Sequence, residues 1–160
     1  MSNTAAAGEL ARFSLPSEPG NERLALSRVA GAVADRGLSP DQMERLKTAV
    51  AEATMNAIEH GNRNQPEVPV EIEVRGHDGQ VVVEISDSGG DQADQAGAEE
   101  PDLALKLDGL QRPRGWGLFL IRNMVDEMDV ASEGVRHTVR LTMHVGGATQ
   151  SEGGDDDQQL

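Results

Sequence analysis

Glu52 and Asn56 stand four residues apart in Glu52-Ala53-Thr54-Met55-Asn56-Ala57-Ile58-Glu59-His60-Gly61, a stretch with helical apolar spacing. Four residues is close to one helical turn, so the two side chains share a face. A carboxamide oxygen suits magnesium, which takes one or two protein oxygens and completes its octahedron with phosphates and water. A carboxylate one turn away could take a proton from a hydroxyl or a water attacking a terminal phosphate. Asp87 ends an apolar run and precedes Ser88-Gly89-Gly90. It offers an acceptor for an exocyclic amino group such as that of adenine, and the glycines let a ligand approach the backbone. Arg114-Gly115-Trp116-Gly117 opens a further helix-like run. Unpaired N–H groups and the helix dipole favour phosphate there, and Arg114 adds a positive charge. Each element also has a plain structural reading: a solvated helix face, an ordinary Asp-Ser-Gly turn, a helix start with flexible glycines. Together they compose the parts of a nucleotide–magnesium site.

The elements that must position these residues follow from periodicity. Leu10, Phe13 and Leu15 fall in a short strand ending at Pro16. Leu26, Val29, Ala30 and Val33 follow helical spacing and predict a helix over 22–36. Ser39 and Pro40 start a second helix, as N-cap and first helical residue, which is expected to run to His60 with Gly61 as its stop. Met43, Leu46, Val50, Ala53 and Ala57 form its core stripe, while Glu52, Asn56 and Glu59 cluster on another face. Val70, Ile72 and Val74 alternate with Glu71, Glu73 and Arg75, a half-buried strand. His77-Asp78-Gly79 turns the chain into a return strand over 81–86 that delivers Asp87 to its end. Residues 88–113 are long for a connection, which points to a lid or binding loop. Leu118, Ile121 and Val125 share a face of a helix expected over 116–127. Strands over 128–131 and 135–145 follow, joined through Glu133-Gly134. Strands and helices without strict alternation indicate an α+β fold, with helices on one face of a largely antiparallel sheet.

The bulk properties set limits. The chain has 160 residues, enough for one domain with a normal core, and only 2% are aromatic, so that core is built from Val, Leu, Ile, Met and Ala. A net charge of −14 argues against nucleic acid or an anionic membrane as partner. The absence of Cys excludes disulfides and thiolate metal sites. The N-terminus lacks the features of a secretory signal and no run approaches the roughly 18 apolar residues of a membrane span, so a cytoplasmic protein is expected. His60 reads as a helix C-terminal histidine and Trp116 as a packing or interface residue. Residues 1–8 and the acidic tail 146–160 are expected to be disordered.

The order of these motifs resembles the ATP-binding fold shared by gyrase, histidine kinases and MutL. Within that group the chain is most similar to the small bacterial anti-sigma factors that are also serine protein kinases, of the RsbW and SpoIIAB kind. Residues 52–61 look like their N box, Asp87-Ser88-Gly89-Gly90 like the first glycine box, and Arg114-Gly115-Trp116-Gly117-Leu118-Phe119-Leu120-Ile121 like the second. The resemblance covers about residues 9–145. It implies a Bergerat-type two-layer α/β sandwich with a mixed, mostly antiparallel sheet and with 88–113 as the ATP lid. It further implies that Asn56 holds Mg2+, Glu52 is the general base, Asp87 reads adenine, and Gly89, Arg114, Gly115, Gly117 and Leu118 shape the ATP site. Two departures stand out. Asp91 occupies a position usually held by glycine in the first glycine box. Val135-Arg136-His137-Thr138 replaces the usual Gly-Thr, leaving Thr138 as the expected source of the hydroxyl.

The activity implied is that of an ATP-dependent serine/threonine kinase and anti-sigma factor. It would phosphorylate a STAS-type anti-anti-sigma protein, sequester a sigma factor and act as a homodimer. The alternatives are a non-catalytic partner-switching module of the same fold and, ranked below it, the catalytic domain of a histidine kinase, which lacks support because no phosphoacceptor helix pair precedes the domain. Limited proteolysis is expected to cut within 88–113 and to slow when ATP and Mg2+ are added. Unchanged cutting argues against a ligand-ordered lid.

Overall fold

The structure, a computed structural model, describes residues 8–89 and 114–145, with 114–117 described by backbone alone. Most of the expected lid, and all of the acidic tail, lie outside the described residues. The order of elements is β1 (Glu9–Leu15), α1 (Asn21–Ala32), α2 (Pro40–Asn56), a π turn (Ala57–Gly61), β2 (Val70–His77), β3 (Gln80–Asp87), α3 (Arg114–Arg122), β4 (Glu127–Glu133) and β5 (Arg136–His144). The five strands form one sheet in the order β1-β2-β3-β5-β4, and every described pairing is antiparallel. The α+β expectation holds, with the helices on one face.

Strand alternation decides which residues meet the helices. Val70, Ile72 and Val74 of β2, Val81, Val83 and Ile85 of β3, and Leu141 and Met143 of β5 are buried against Ala25, Val29 and Val33 from α1 and its end, Leu46, Ala49, Val50 and Ala53 of α2, and Ile121 of α3. The opposite face carries Arg12, Glu71, Glu73, Glu84, Arg136 and Arg140, joined in ion pairs such as Arg136–Glu71 at 2.7 Å and Arg140–Glu84 at 2.9 Å. On that face Glu9 and Glu73 hold the Arg12 guanidinium above its ordinary pKa, chiefly through the Glu9 hydrogen bond. The β2–β3 hairpin turns on Asp78 and Gly79, both at positive φ (50° and 77°), as a two-residue hairpin of this hand requires.

The helix α2 is anchored at its start by a capping box. Ser39 Oγ accepts from the Gln42 N–H, and Gln42 Oε1 accepts from the Ser39 N–H. The Gln42 amide also donates to the His144 carbonyl at 2.7 Å, and Arg45 Nη1 donates to the Met124 carbonyl at 3.1 Å. The expected single helix over 40–60 is instead an α-helix that widens into a π turn after Asn56, closed by the Asn62 N–H on the Ala57 carbonyl at 2.7 Å.

Two helix ends differ from expectation. α1 stops at Ala32 because the next turns close with shorter-range bonds, such as the Arg36 N–H to the Val33 carbonyl. α3 begins at Arg114 and stops at Arg122. The Asn123 and Met124 N–H groups bond carbonyls three residues back, and the Asp126 N–H is drawn to Thr142 of β5. Val125 is still buried, so the apolar spacing located a core position beyond the helix itself.

Replacing Leu46, which has no exposed surface, with Ala should lower unfolding stability by about 2–5 kcal/mol. Urea denaturation checks this. A loss under 1 kcal/mol would mean that α2 is not packed as described.

Candidate functional site

The end of α2 and the ends of β3 and β5 enclose one cleft. Asn56, Asp87, His137 and Leu118 line it together with Ala53, Ala57, Ile85, Val130, Ser132 and Val139. Stretches far apart in sequence thus converge. The enclosed space is about 30 Å³, room for a water but not for a base. A larger hollow of about 340 Å³ lies on the other face of the sheet, lined by Arg12, Glu71, Glu73, Glu84 and Arg136 among others. Its charges are tied to one another in surface ion pairs, and none of the motif residues reaches it.

Asp87 is 6% exposed, and one oxygen of its carboxylate is held by two contacts. Oδ1 accepts from the Gly89 N–H at 3.0 Å and lies 3.1 Å from His137 Nδ1. A buried carboxylate is costly unless its oxygens are hydrogen-bonded, and these contacts supply partners. Gly61 faces the same carboxylate: a Cβ there would overlap the Asp87 side chain. Glycine at this position lets the helix end and the strand end touch.

Asn56 sits at the last residue of α2, with its Nδ2 buried and without a hydrogen-bond partner. Nitrogen and oxygen of a carboxamide are assigned from their partners, so this amide is open to a ligand of either polarity. Glu52, one turn earlier on α2, is half-buried. Among the described residues no group of three or more His, Asp or Glu could hold a metal ion by themselves. Magnesium bound here would depend on phosphate oxygens, the usual arrangement for that ion.

Arg114, Gly115 and Gly117 lie in the first turn of α3. Leu118 of that helix reaches the cleft. Thr138 does not. It pairs with Ser86 in the β3–β5 register and its hydroxyl lies 2.8 Å from Ser86 Oγ, on the sheet face away from the helices. A strand alternates its side chains, so the residue that faces Asp87 is His137, one position earlier. His137 is 5% exposed, and its Nε2 is buried without a partner.

Asn62 is a further residue the motifs did not single out. It is buried, and its amide donates to Ser17 Oγ and to the Val68 and Pro69 carbonyls. Its Oδ1 accepts from the Ser88 N–H at 2.9 Å. One side chain therefore ties the end of the π turn to the residue after Asp87. The available signal was its place directly after Gly61.

With this geometry the comparisons with known proteins agree. A family model described as a histidine kinase-like ATPase domain matches residues 15–143. The chain belongs to that family. An anti-sigma F factor from Geobacillus kaustophilus is 37% identical over 135 residues, covering 84% of this chain and 90% of that protein. The structure of the SiaB–SiaC complex from Pseudomonas aeruginosa matches with a TM-score of 0.61 at 18% identity, over 85% of this chain and 90% of that one. The RsbU and RsbW domains of a Mycobacterium tuberculosis protein match with a TM-score of 0.60 at 18% identity, over 84% of this chain and 31% of that one. At such identities the two structures bear on the fold alone. No described helix is long and apolar enough to cross a membrane.

Substituting Asn62→Ala should cost about 1–3 kcal/mol, because buried donors and acceptors lose partners. Urea denaturation checks it, and a change under 0.5 kcal/mol would show that Asn62 does not brace the Asp87 turn.

Proposed function

We propose that the chain is an ATP-dependent serine/threonine protein kinase and anti-sigma factor, acting on a STAS-type anti-anti-sigma protein and sequestering a sigma factor as a homodimer. The observation that carries this reading is the meeting of Asn56, with its unpartnered amide, and the buried Asp87 carboxylate in one cleft beside Leu118 at the start of α3. The relationship to anti-sigma F factors supports the partner class.

In this reading Asp87 accepts from the amino group of adenine, and the Gly89 N–H holds the carboxylate in position. Asn56 would offer its side-chain oxygen to Mg2+, which neutralises the phosphates when bound. Arg114, Gly115 and Gly117 would present charge and backbone N–H groups to phosphate at the start of α3. Glu52, one turn from Asn56, would take the proton from the acceptor hydroxyl. Residues 88–113 would close over the nucleotide as a lid, with 9–145 as the working domain and 146–160 outside it. A cytoplasmic location accords with such a role.

A second reading has one observation in its favour. The cleft position of β5 is held by His137 rather than by a hydroxyl residue, and Thr138 points away. A non-catalytic partner-switching module that binds nucleotide as a structural ligand would tolerate such a change.

Glu52→Gln separates the two. With radiolabelled ATP, Mg2+ and the cognate antagonist, it should lose at least about 100-fold in transfer rate, while calorimetry shows ATP affinity within a few-fold of the unaltered protein. Full transfer in the variant removes Glu52 from the chemistry. No transfer by the unaltered protein, with ATP still bound, selects the second reading.

A further inference from the structure

We propose that Asn62 and Ser17 form a relay joining the backbone after Asp87 to the turn that starts α1, so that a nucleotide in the cleft is felt at the surface over residues 16–21. Asn62 is thereby a positioning residue that acts on the cleft from outside it. The inference rests on the nucleotide reading above and deepens it.

Three stretches of chain meet at one corner of the sheet: the turn after β1, the residues before β2 and the residues after β3. β1 and β3 do not pair, since β2 lies between them. The Asn62 carboxamide bridges their ends instead. Its Oδ1 accepts from the Ser88 N–H at 2.9 Å, and its Nδ2 donates to Ser17 Oγ at 3.0 Å and to the Val68 and Pro69 carbonyls at 3.1 and 3.2 Å. These partners settle which end of the amide is oxygen, because a peptide N–H only donates and a carbonyl only accepts. Ser17 gives its own proton to the Val68 carbonyl at 2.6 Å, so it meets Asn62 with a lone pair. Ser17 is fully buried and Asn62 is 2% exposed. A buried network in which each member has a partner resists distortion, because a shift of one leaves another unpaired.

Both ends of the relay lead to places of consequence. Ser88 stands between Asp87 and Gly89, whose N–H donates to the Asp87 carboxylate. Among the described residues Ser88 has no hydrogen-bond partner other than Asn62. At the other end, Ser17 sits in a turn that closes on itself. The Glu18 N–H donates to the Pro16 carbonyl, the Asn21 N–H to the Glu18 carbonyl, and the Asn21 side chain to the Pro16 carbonyl. Asn21 is the first residue of α1. The path from Ser88 to the start of α1 thus runs through two side chains, neither of which lines the cleft. Glu18, Pro19, Arg23 and Leu24 are exposed there. A ligand that fixes the backbone beside Asp87 takes freedom from this turn as well, and by reciprocity whatever fixes the turn favours the ligand.

Amide hydrogen exchange followed by NMR, with and without saturating ATP and Mg2+, tests the relay. The Glu18, Asn21 and Arg23 N–H groups, each bonded within this turn or the first turn of α1, should exchange at least about fivefold more slowly with nucleotide. The Arg36 N–H, bonded in the turn after α1, should not change, which separates the relay from general stabilisation. Ser17→Ala keeps the bond from Asn62 to Ser88, so slowing at Gly89 should remain while slowing at Glu18, Asn21 and Arg23 disappears. In Asn62→Ala the slowing at these three should disappear as well. A merely structural role for the two residues would speed exchange alike with and without nucleotide and leave the ratio untouched. An unchanged ratio in either variant, slowing at Gly89 without slowing at the turn in the unaltered protein, or equal slowing at Arg36 overturns the relay while leaving nucleotide binding intact. Calorimetry that shows no ATP binding by the unaltered protein removes the nucleotide reading and the relay together.

Discussion

The contact between Gly61 and Asp87 is the constraint on which the rest of the site depends. A carboxylate buried at a strand end needs hydrogen-bond donors and needs space. Gly89 and His137 provide the donors and Gly61 provides the space, because any side chain there would overlap the carboxylate. The end of α2 can then approach β3 closely enough for Asn56 and Asp87 to share a cleft.

That approach is held from both ends of the helix. At the start, the capping box sets the first turn, and Gln42 and Arg45 fasten it to the His144 and Met124 carbonyls. At the far end, the π turn changes the winding after Asn56, so the residues that follow leave the register a continuous α-helix would have given them. Such insertions are frequent at functional sites. Asn62 then bonds at once to Ser17, to the 68–69 loop and to Ser88. Side-chain hydrogen bonds, most of them to backbone, thus fasten both ends of this segment to the strands and loops around it.

Much of this was legible in the sequence, and the failures have a common form. Apolar spacing located the elements because a period of 3.6 or of 2 is a property of one segment. The helix face that carries Glu52 and Asn56 and the strand end at Asp87 were legible for the same reason. The ends of α1 and α3 were misplaced because capping depends on local bonds that compete with the helix, such as the pull of β5 on Asp126. Thr138 was assigned to the cleft by residue type, but a shift of one position along a strand moves a side chain to the other face. Register with β3 decides that, and β3 lies some 50 residues away in the chain. Asn62 was missed because its partners lie at separations such as 45 and 26 residues.

The cleft and the hydrophobic core occupy the same layer of the molecule. The outer face of the sheet carries paired charges, and exposed ion pairs contribute little to stability, so the helix-facing side supplies most of the stabilising burial. Ala53 and Ala57 belong to both, since they are buried in the core cluster and also line the cleft beside Asn56. At spacings of three and four residues the three side chains form one patch on the helix. Small residues at two of the three positions leave the hollow that Asn56 and Asp87 look into. A larger apolar residue at either position would add core contacts and fill the cleft. The size of these two side chains therefore expresses a balance between packing and access, and the narrowness of the cleft follows from how close to packing that balance lies.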